Sequence, residues 1–523
     1  MEQKIRLSIK TKINKLNSGI TLVAPGLSGS CRYRGVRTDG ETRGFTAEQT
    51  GLDLAIAEAD LEDRHTLVIE APTPEPQTES DGRGDVFQDA VGDNEILLQV
   101  PGYLDEQQFL MYTDEDGIIS FHYPVAIEPG QALPSTRSVE AAVQNQYRIT
   151  LRAGQGLAPD KSATDSRGLF GKIGSKILKV LVTKVFKKQT GNAVHWAIQQ
   201  WENRCRAFQG LHGGRDFSEL MSESPVPFDN WDGIRGKKAL LFIHGTSSST
   251  AGAFAGLLKS NIPESLYQQY QGRVLAFNHH TMSLSVAENV KQFYNAFVDH
   301  PGDYSFDIIC HSRGGLVARA LNHLPDDFIA GRLKGWRRPQ CVNIKIDRIV
   351  FVATPNAGTD LALLDNLSVM IERLANYINL FPDGLASISG GMLLTLASAI
   401  VDAGLPYVPG LEDQSPDSDL LKHFTDSHEQ AKRYYGFGAN YEVEGNLQSV
   451  VKTGGIAAGT DRVVDRLFKD KANDLVVPTL GVAANANFHL ESNHIQHFQG
   501  SVVHHTNFFF QPEIENIFNF LSK

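Results

Sequence analysis

Cysteine is scarce in this chain: Cys31, Cys205, Cys310 and Cys341 are the only four in 523 residues, and no two form a Cys-x-x-Cys pair. That scatter excludes a disulfide framework and the usual zinc or dithiol motifs, and a reducing compartment is expected. Excess positive charge is missing too. With 49 Lys and Arg against 60 Asp and Glu, the net charge is −11, so the footprint needed to grip a phosphate backbone is lacking and nucleic acid is not an expected partner. No apolar run is long enough to span a bilayer, and the opening "MEQKIRLSIKTKINKLNSG" has positive charges without a signal peptide's continuous apolar core. The expected location is the cytoplasm. Nucleotide, flavin and haem signatures are absent, so no cofactor is expected.

What is present is the composition of a globular protein, 41% hydrophobic and 21% charged, at a length that exceeds one ordinary core. Three regions differ in grammar. Residues 1–154 read as a small β-rich domain: "HTLVIEAP", "EILLQVPG" and "QYRITLRA" are strand-like, and Asp-Glu-Asp-Gly joins "QQFLMYT" to "IISFHYP" as a hairpin. No nucleophile, base or metal ligands group there, and a surface for a protein partner is its expected role. "APTPEPQTESDGRGD", Ala71 to Asp85, reads as a mobile loop.

Residues 155–224 read as a helical linker. In "GLFGKIGSKILKVLVTKVFKK", Gly168 to Lys188, apolar residues recur at Leu169, Ile173, Ile177, Leu181 and Val185, with Lys172, Lys176, Lys179 and Lys187 on a neighbouring face and Lys184 breaking the pattern. This spacing predicts a basic amphipathic helix, either packed between domains or resting peripherally on an anionic membrane. "HWAIQQWENRCRAF" continues the helical pattern.

From Ala239 onward buried apolar runs alternate with helical patterns: "ALLFIHG", "RVLAFN", "FDIIC", "IDRIVFVATP" and "RYYGFG". Such alternation predicts βα crossovers and a mostly parallel sheet covered on both faces. An apolar stretch from about 361 to 423 interrupts the last two runs.

The most informative segment is "FDIICHSRGGLVARAL", Phe306 to Leu321, in which a strand pattern stops at Ser312 and restarts as a Gly-rich helix. A hydroxyl on that bend stands at the carboxyl end of a strand, where open α/β sheets bind ligands. The bend forces strained backbone, so its flanks must be small. Gly314 meets this on one side and Cys310 stands where Gly is usual on the other. The helix start directs the Arg313 N–H toward any oxyanion formed at Ser312. Earlier in the chain "FIHGTSS" ends another strand, placing His244 and Gly245 beside the substrate and offering the Thr246 N–H as a second donor. As a bare pentapeptide "HSRGG" is equally a strand-to-helix turn with an N-capping Ser; the earlier loop is what adds specificity.

With "FIHGTSSST", "CHSRGGLVAR", "FVATPNAGTDLA" and "NDLVVPT" in that order, residues from about Pro225 to Lys523 resemble the α/β-hydrolase superfamily, and within it bacterial lipase-like ester hydrolases. The resemblance implies an α/β-hydrolase domain over residues 225–523, with a helical lid-like insertion near 361–423. It implies a Ser-Asp-His triad in that chain order, and a lipid or acyl-ester substrate. Asp474, in "NDLVVPT", matches the family's acid position, with Asp461 and Asp465 as competitors; in "GSVVHHTNFFF" the family's ending favours His505 over His504 as the base. "ATPNAGT" is similar to the loop that lines the acyl pocket. His489, His494 and His497 lie nearby, but "HLESNHIQHF" lacks the His-Glu-x-x-His spacing, so no metal site is expected. A thioesterase or peptidase on the same fold, and a partner-regulated module without catalysis, are the alternatives.

Overall fold

In the computed structural model of the protein, the described residues are 193–359, 408–441, 474, 476–500 and 503–522. In the N-terminal third they are 2–8, 13–35, 51–71, 94–102, 106–114, 119–124, 143–151, 167–168, 171–172 and 175–184, with single positions between 362 and 398. Most of the Ala71 to Asp85 loop, most of the lid-like insertion, Asp461 and Asp465 lie outside them.

The N-terminal strands alternate apolar and polar residues and pair antiparallel. They are β1 (Glu2–Leu7), β2 (Ile13–Lys15), β3 (Thr21–Val23), β4 (Gly29–Arg34), β5 (Glu62–Glu70), β6 (Glu95–Gly102), β7 (Glu106–Thr113), β8 (Ile119–His122) and β9 (Val143–Thr150). Further along come the short ladder β10 (Arg167–Gly168) with β11 (Gly171–Lys172), and the long strand β12 (Lys176–Lys184). One sheet runs β1-β4-β5-β12-β7-β8, the other β2-β3-β6-β9. A single apolar core takes Leu67, Ile69, Leu178 and Val180 from the first and Leu22, Leu98, Tyr147 and Ile149 from the second. The two inner faces therefore pack on each other as a β-sandwich.

β12 corrects the expected amphipathic helix at Gly168 to Lys188, and with it the helical linker and the proposed membrane contact. The stretch lies between β5 and β7, hydrogen-bonded to both. The apolar residues that matter recur every second position, with Leu178, Val180 and Val182 buried, which is the strand period rather than the helical one. Lys176 and Lys179 are buried rather than solvated: Lys176 Nζ donates to Ala71 O at 2.6 Å, and Lys179 pairs with Asp63. A β-branched run that fills the centre of a sheet gains two ladders of hydrogen bonds that an exposed helix would not.

The second architecture is the expected mostly parallel sheet. It contains β13 (Gly210–Gly213), β14 (Val226–Pro227), β15 (Lys238–Ile243), β16 (Val274–Asn278), β17 (Gly302–His311), β18 (Val342–Val352), β19 (Tyr434–Tyr441) and β20 (Ile495–Gly500), in the order β14-β13-β16-β15-β17-β18-β19-β20. All neighbours from β16 to β20 are parallel, and the short β13 and β14 add antiparallel at one edge. The sheet thus begins at residue 210, inside the segment expected to be linker. Period-two alternation divides each strand between two cores. Leu241, Ile243, Leu275, Phe277, Ile308 and Phe351 face one, with the helices Val286–Asn295 and Gly314–His323. Leu240, Phe242, Ala276, Ile309, Val350 and Phe437 face the other, with the helix Ile262–Gln269 and the C-terminal Asn516–Leu521. A sheet covered on both faces has strands that read as continuous apolar runs, as these do.

The chain passes from β15 to β16 on one side and then to β17 on the other, so the strand order reverses beside β15. At such a reversal the connections leave in opposite directions and open a crevice at the carboxyl ends. Ser312 follows β17 directly, and His244 and Gly245 follow β15.

The helix Gly314–His323 is pinned by Arg319, whose Nε and Nη2 donate to the two carboxylate oxygens of Asp426 at 2.7 and 2.9 Å. The guanidinium lies over the rings of Phe424 and Phe488, and both charges are excluded from water. Breaking a buried pair leaves one charge unpaired. Asp426→Ala should therefore lower stability by about 3–5 kcal/mol in urea unfolding; a loss below about 1 kcal/mol, the range of an exposed pair, would contradict the assignment.

Candidate active site

Ser312 adopts φ = 52°, in the left-handed region that residues with a Cβ seldom enter. Ser247 and Ala353, at neighbouring strand ends, do the same at 56° and 53°, each at a cost of about 1–3 kcal/mol. The surrounding packing holds the bend in place. Ser312 N donates to Val352 O at 2.8 Å, across to β18. A Cβ on Gly314 would lie 2.3 Å from Ile243 O, and one on Gly245 would lie 2.6 Å from Ser312 Cβ. Both glycines are therefore required by close approach. Cys310, one residue further back, is buried and its Sγ donates to Val350 O at 3.2 Å, so a small side chain fits where the usual Gly is replaced.

The structure brings together Ser312, His505 and Asp474. His505 Nε2 lies 3.1 Å from Ser312 Oγ, and His505 Nδ1 lies 2.9 Å from Asp474 Oδ2. An N–H must point at the carboxylate, so Nδ1 carries the proton and Nε2 accepts from the Ser hydroxyl. Asp474 Oδ1 accepts the N–H groups of Val476 and Val477 at 3.0 and 2.7 Å. His505 N also donates to Asp474 O at 3.0 Å, so acid and base are tied by backbone as well as side chain. His311 Nε2–H donates to His505 O at 2.8 Å, and burial beside the His505 ring pushes the His311 imidazole down to about 3. It is a neutral prop.

His504 is turned away. Its N–H donates to Asn507 Oδ1 at 2.8 Å and its Nδ1 meets Thr506 Oγ1 at 3.3 Å; burial pushes its ring down to about 4. His489, His494 and His497 stay on or beside the edge strand β20, and among the described residues no three His, Cys, Asp or Glu side chains group as metal ligands.

His244 and Gly245 occupy the loop after β15 as expected, but the His244 ring does not offer itself to a substrate. Nδ1–H donates to Gly245 O at 3.0 Å and Nε2 accepts from His279 N at 3.1 Å. Both nitrogens are thus spent on backbone, and burial drives the ring down to about 3. The neutral ring shapes the loop. No acceptor for the Thr246 N–H or the Arg313 N–H occurs among the described residues.

Several supports carried no sequence signal, because each depends on residues distant in the chain. The Glu202 carboxylate, buried on the helix Ala193–Cys205, accepts the N–H groups of Thr281, Met282 and Ser283 at 2.8–3.0 Å. Thr281 Oγ1 in turn accepts from Ser247 N at 2.8 Å. Across the crevice, the one-turn helix Pro409–Glu412 and Gln414 bridge the two loops. Thr246 Oγ1 donates to Gln414 Oε1 at 3.2 Å, Gln414 Nε2 donates to Gly410 O at 2.8 Å, and Arg313 Nε donates to the same carbonyl at 3.3 Å. The Arg313 guanidinium is buried and also gives hydrogen bonds to Asn289 Oδ1 and Leu284 O.

Residues 213–522 match a family model described as a domain of unknown function, DUF7379. The chain belongs to this family. Its DUF7379 region contains the parallel strands β15 to β20 and all three residues of the Ser312, His505 and Asp474 array. No curated protein matches the sequence. Solved structures similar to it include the mature lipase BlEst2 of Bacillus licheniformis, 15% identical over 57% of this chain and 95% of that one, with a TM-score of 0.28. Lipase 1 from Pelosinus fermentans is 12% identical over 52% and 93%, TM-score 0.35. Staphylococcus hyicus lipase is 14% identical over 55% and 94%, TM-score 0.31. TM-scores this low carry no inference about what the DUF7379 region does; its side-chain geometry has to do so alone.

Next to Arg313, Asp413 accepts from Val286 N at 2.5 Å, and burial, opposed by the Arg313 charge, pushes its carboxyl up to about 6. The folded protein then holds a proton that the unfolded chain releases at lower pH. The stability this contributes is full below about pH 4 and is lost as pH rises through about 6. Asp413→Asn keeps an oxygen for the Val286 N–H but does not titrate. Its urea midpoint should gain on the wild type between pH 4 and 7; a constant difference over that range would contradict the assignment.

Proposed function

We propose that the chain is a serine ester hydrolase of the α/β-hydrolase type, working through an acyl-enzyme on Ser312. One observation carries this reading: a serine on a positive-φ strand-to-helix bend, hydrogen-bonded to an imidazole whose other nitrogen faces a buried carboxylate. In the reaction, Ser312 Oγ attacks the ester carbonyl carbon while His505 Nε2 takes the hydroxyl proton. The oxyanion is held by the N–H groups of Thr246 and Arg313, which have no competing acceptor among the described residues. As the tetrahedral intermediate collapses, His505 returns the proton to the departing alcohol oxygen and the acyl group stays on Ser312. Water, deprotonated by His505, attacks the acyl carbon; collapse of the second intermediate breaks the bond to Ser312 Oγ, which takes the proton back from His505, and the acid leaves. Asp474 keeps the proton on Nδ1 throughout and offsets the positive charge of the imidazolium.

For substrate class, we favour lipid or long-chain acyl esters. That preference rests on the resemblance and on the apolar composition of the insertion after "ATPNAGT", whose described positions Ile371, Ala375, Leu393, Leu394 and Ala397 are buried.

A panel of 4-nitrophenyl esters from acetate to palmitate, with matched thioesters and amides, tests the reading. Ester turnover should rise with acyl length and fall at least about a thousandfold in Ser312→Ala. Turnover that survives that substitution would overturn the role of Ser312, and preference for thioesters or amides would move the reaction class. Gln414 accepts from the Thr246 side chain and shares the Gly410 carbonyl with the Arg313 side chain. Gln414→Ala should therefore lower kcat about ten- to a hundredfold with KM nearly unchanged; a change confined to KM would place Gln414 in substrate binding instead.

A further inference from the structure

Beyond the Ser312 site, a second cavity of about 340 Å³ opens at the carboxyl ends of β15 and β16. Ser312, His505 and Asp474 do not line it. Its walls come from the end of the helix Ala193–Cys205 and the segment after it, from residues 222–225, and from the loops that follow the two strands. The rings of His244 and His279, stacked with centroids 4.3 Å apart, form part of the lining. Burial keeps both imidazoles neutral.

The charge in the cavity is carried by arginine. Arg206 is half-buried and has no carboxylate partner among the described residues. Its Nη1 donates to Cys205 O at 3.1 Å and its Nη2 to Ser247 O at 3.4 Å, both carbonyls, while the guanidinium lies 5.4 Å from the Trp201 ring centre. Arg204 lines the same space. The acid there, Glu223, is exposed. Arg204, which is exposed and donates to Glu58 O, and the exposed Glu223 offset each other, which leaves the half-buried Arg206 as the positive charge of this wall in a chain of net charge −11.

The neutral polar groups point the same way. Asn278 spends its Oδ1 on Thr250 N and Thr250 Oγ1 at 2.9 and 2.8 Å, which leaves its NH2 to give. Ser249 Oγ accepts from Gly252 N at 3.1 Å, which leaves its hydroxyl proton to give. The wall also holds two buried acceptors without a partner, Gln209 Oε1 and His279 Nε2, which suit hydroxyl groups on the same ligand. A ligand suited to it is anionic, has several acceptor oxygens and is larger than a bare anion.

We propose that this cavity binds a phosphate monoester, with the phosphate on Arg206 and its organic group in the remaining space. The guanidinium fork matches phosphate geometry, and three phosphate oxygens can engage Arg206 together with the Asn278 and Ser249 donors, part of which a carboxylate would leave unmet. Because Arg206 also holds Ser247 O, an occupant would rest directly against the loop that contains Thr246. The assignment does not depend on the ester-hydrolase reading, and its test measures binding rather than turnover.

Calorimetric titrations of the full chain with sn-glycerol 3-phosphate, inorganic phosphate and monomeric lysophosphatidic acid provide the test, with glycerol as the neutral control. Saturable one-to-one binding of a phosphate ester is expected. It should weaken at least about tenfold in Arg206→Gln and stay at the wild-type value in Arg215→Gln, an exposed arginine outside the cavity. Binding of glycerol 3-phosphate identifies a free metabolite-sized ester as the source, whereas binding of the lysolipid alone identifies a lipid headgroup. Should Arg206→Gln fail to fold, phenylglyoxal modification of the wild type with peptide mapping gives the second readout: the ligand should protect Arg206. No saturable binding by any of the three, undiminished binding in a folded Arg206→Gln, or modification of Arg206 unaffected by ligand would each overturn the proposal.

Discussion

The structure depends on one crowded bend. At Ser312 the backbone turns from strand to helix through a conformation that its own side chain disfavours, and contact on three sides prevents relaxation. Gly314 touches the end of β15, Gly245 touches Ser312 itself, and the Ser312 N–H is bonded across to β18. Parallel strands buried on both faces supply the rigidity, since a strained residue persists only where its surroundings over-determine it. The consequence is a hydroxyl aimed out of the sheet at the crevice that the reversal in strand order opens.

Everything else at the site secures what that bend presents. Asp474 and His505 are joined by a side-chain contact that orients the imidazole and by a backbone hydrogen bond that holds the two segments together. The prop from His311 holds the other side of the same peptide. Around the Thr246 loop the supports are ionic or amide groups from three distant parts of the chain, Glu202, Arg206 and Gln414. Preorganisation of this kind lets backbone dipoles stabilise developing charge without paying for their reorientation at the moment of reaction. The same loop forms a wall of the arginine-bearing cavity, so the two proposed sites share one boundary.

How much of this was legible in the sequence follows from how local each determinant is. The strands of the parallel sheet announce themselves as apolar runs, and the Ser312 bend shows as a strand pattern broken by Ser, Arg and two glycines. Adjacent residues share every local signal, so His505 was favoured over His504 by resemblance alone; in the structure it is the His505 ring that faces Asp474 and Ser312. The stretch from Lys176 to Lys184 misled for a physical reason. Its apolar residues fit a spacing of four as well as of two, and what decides between them is pairing with β5 and β7, far away in the chain. Gln414, Glu202 and Arg206 were invisible for the same reason, since each acquires its role only when loops separated by long stretches of chain come together.

The central claim is that the Ser312 hydroxyl is made nucleophilic by His505. Labelling with a fluorophosphonate, followed by peptide mass spectrometry, measures that directly. A single adduct on Ser312 is predicted, forming at least about a hundredfold more slowly in His505→Ala because the general base is gone. An unlabelled Ser312 in folded protein, or labelling at an undiminished rate without His505, would contradict it.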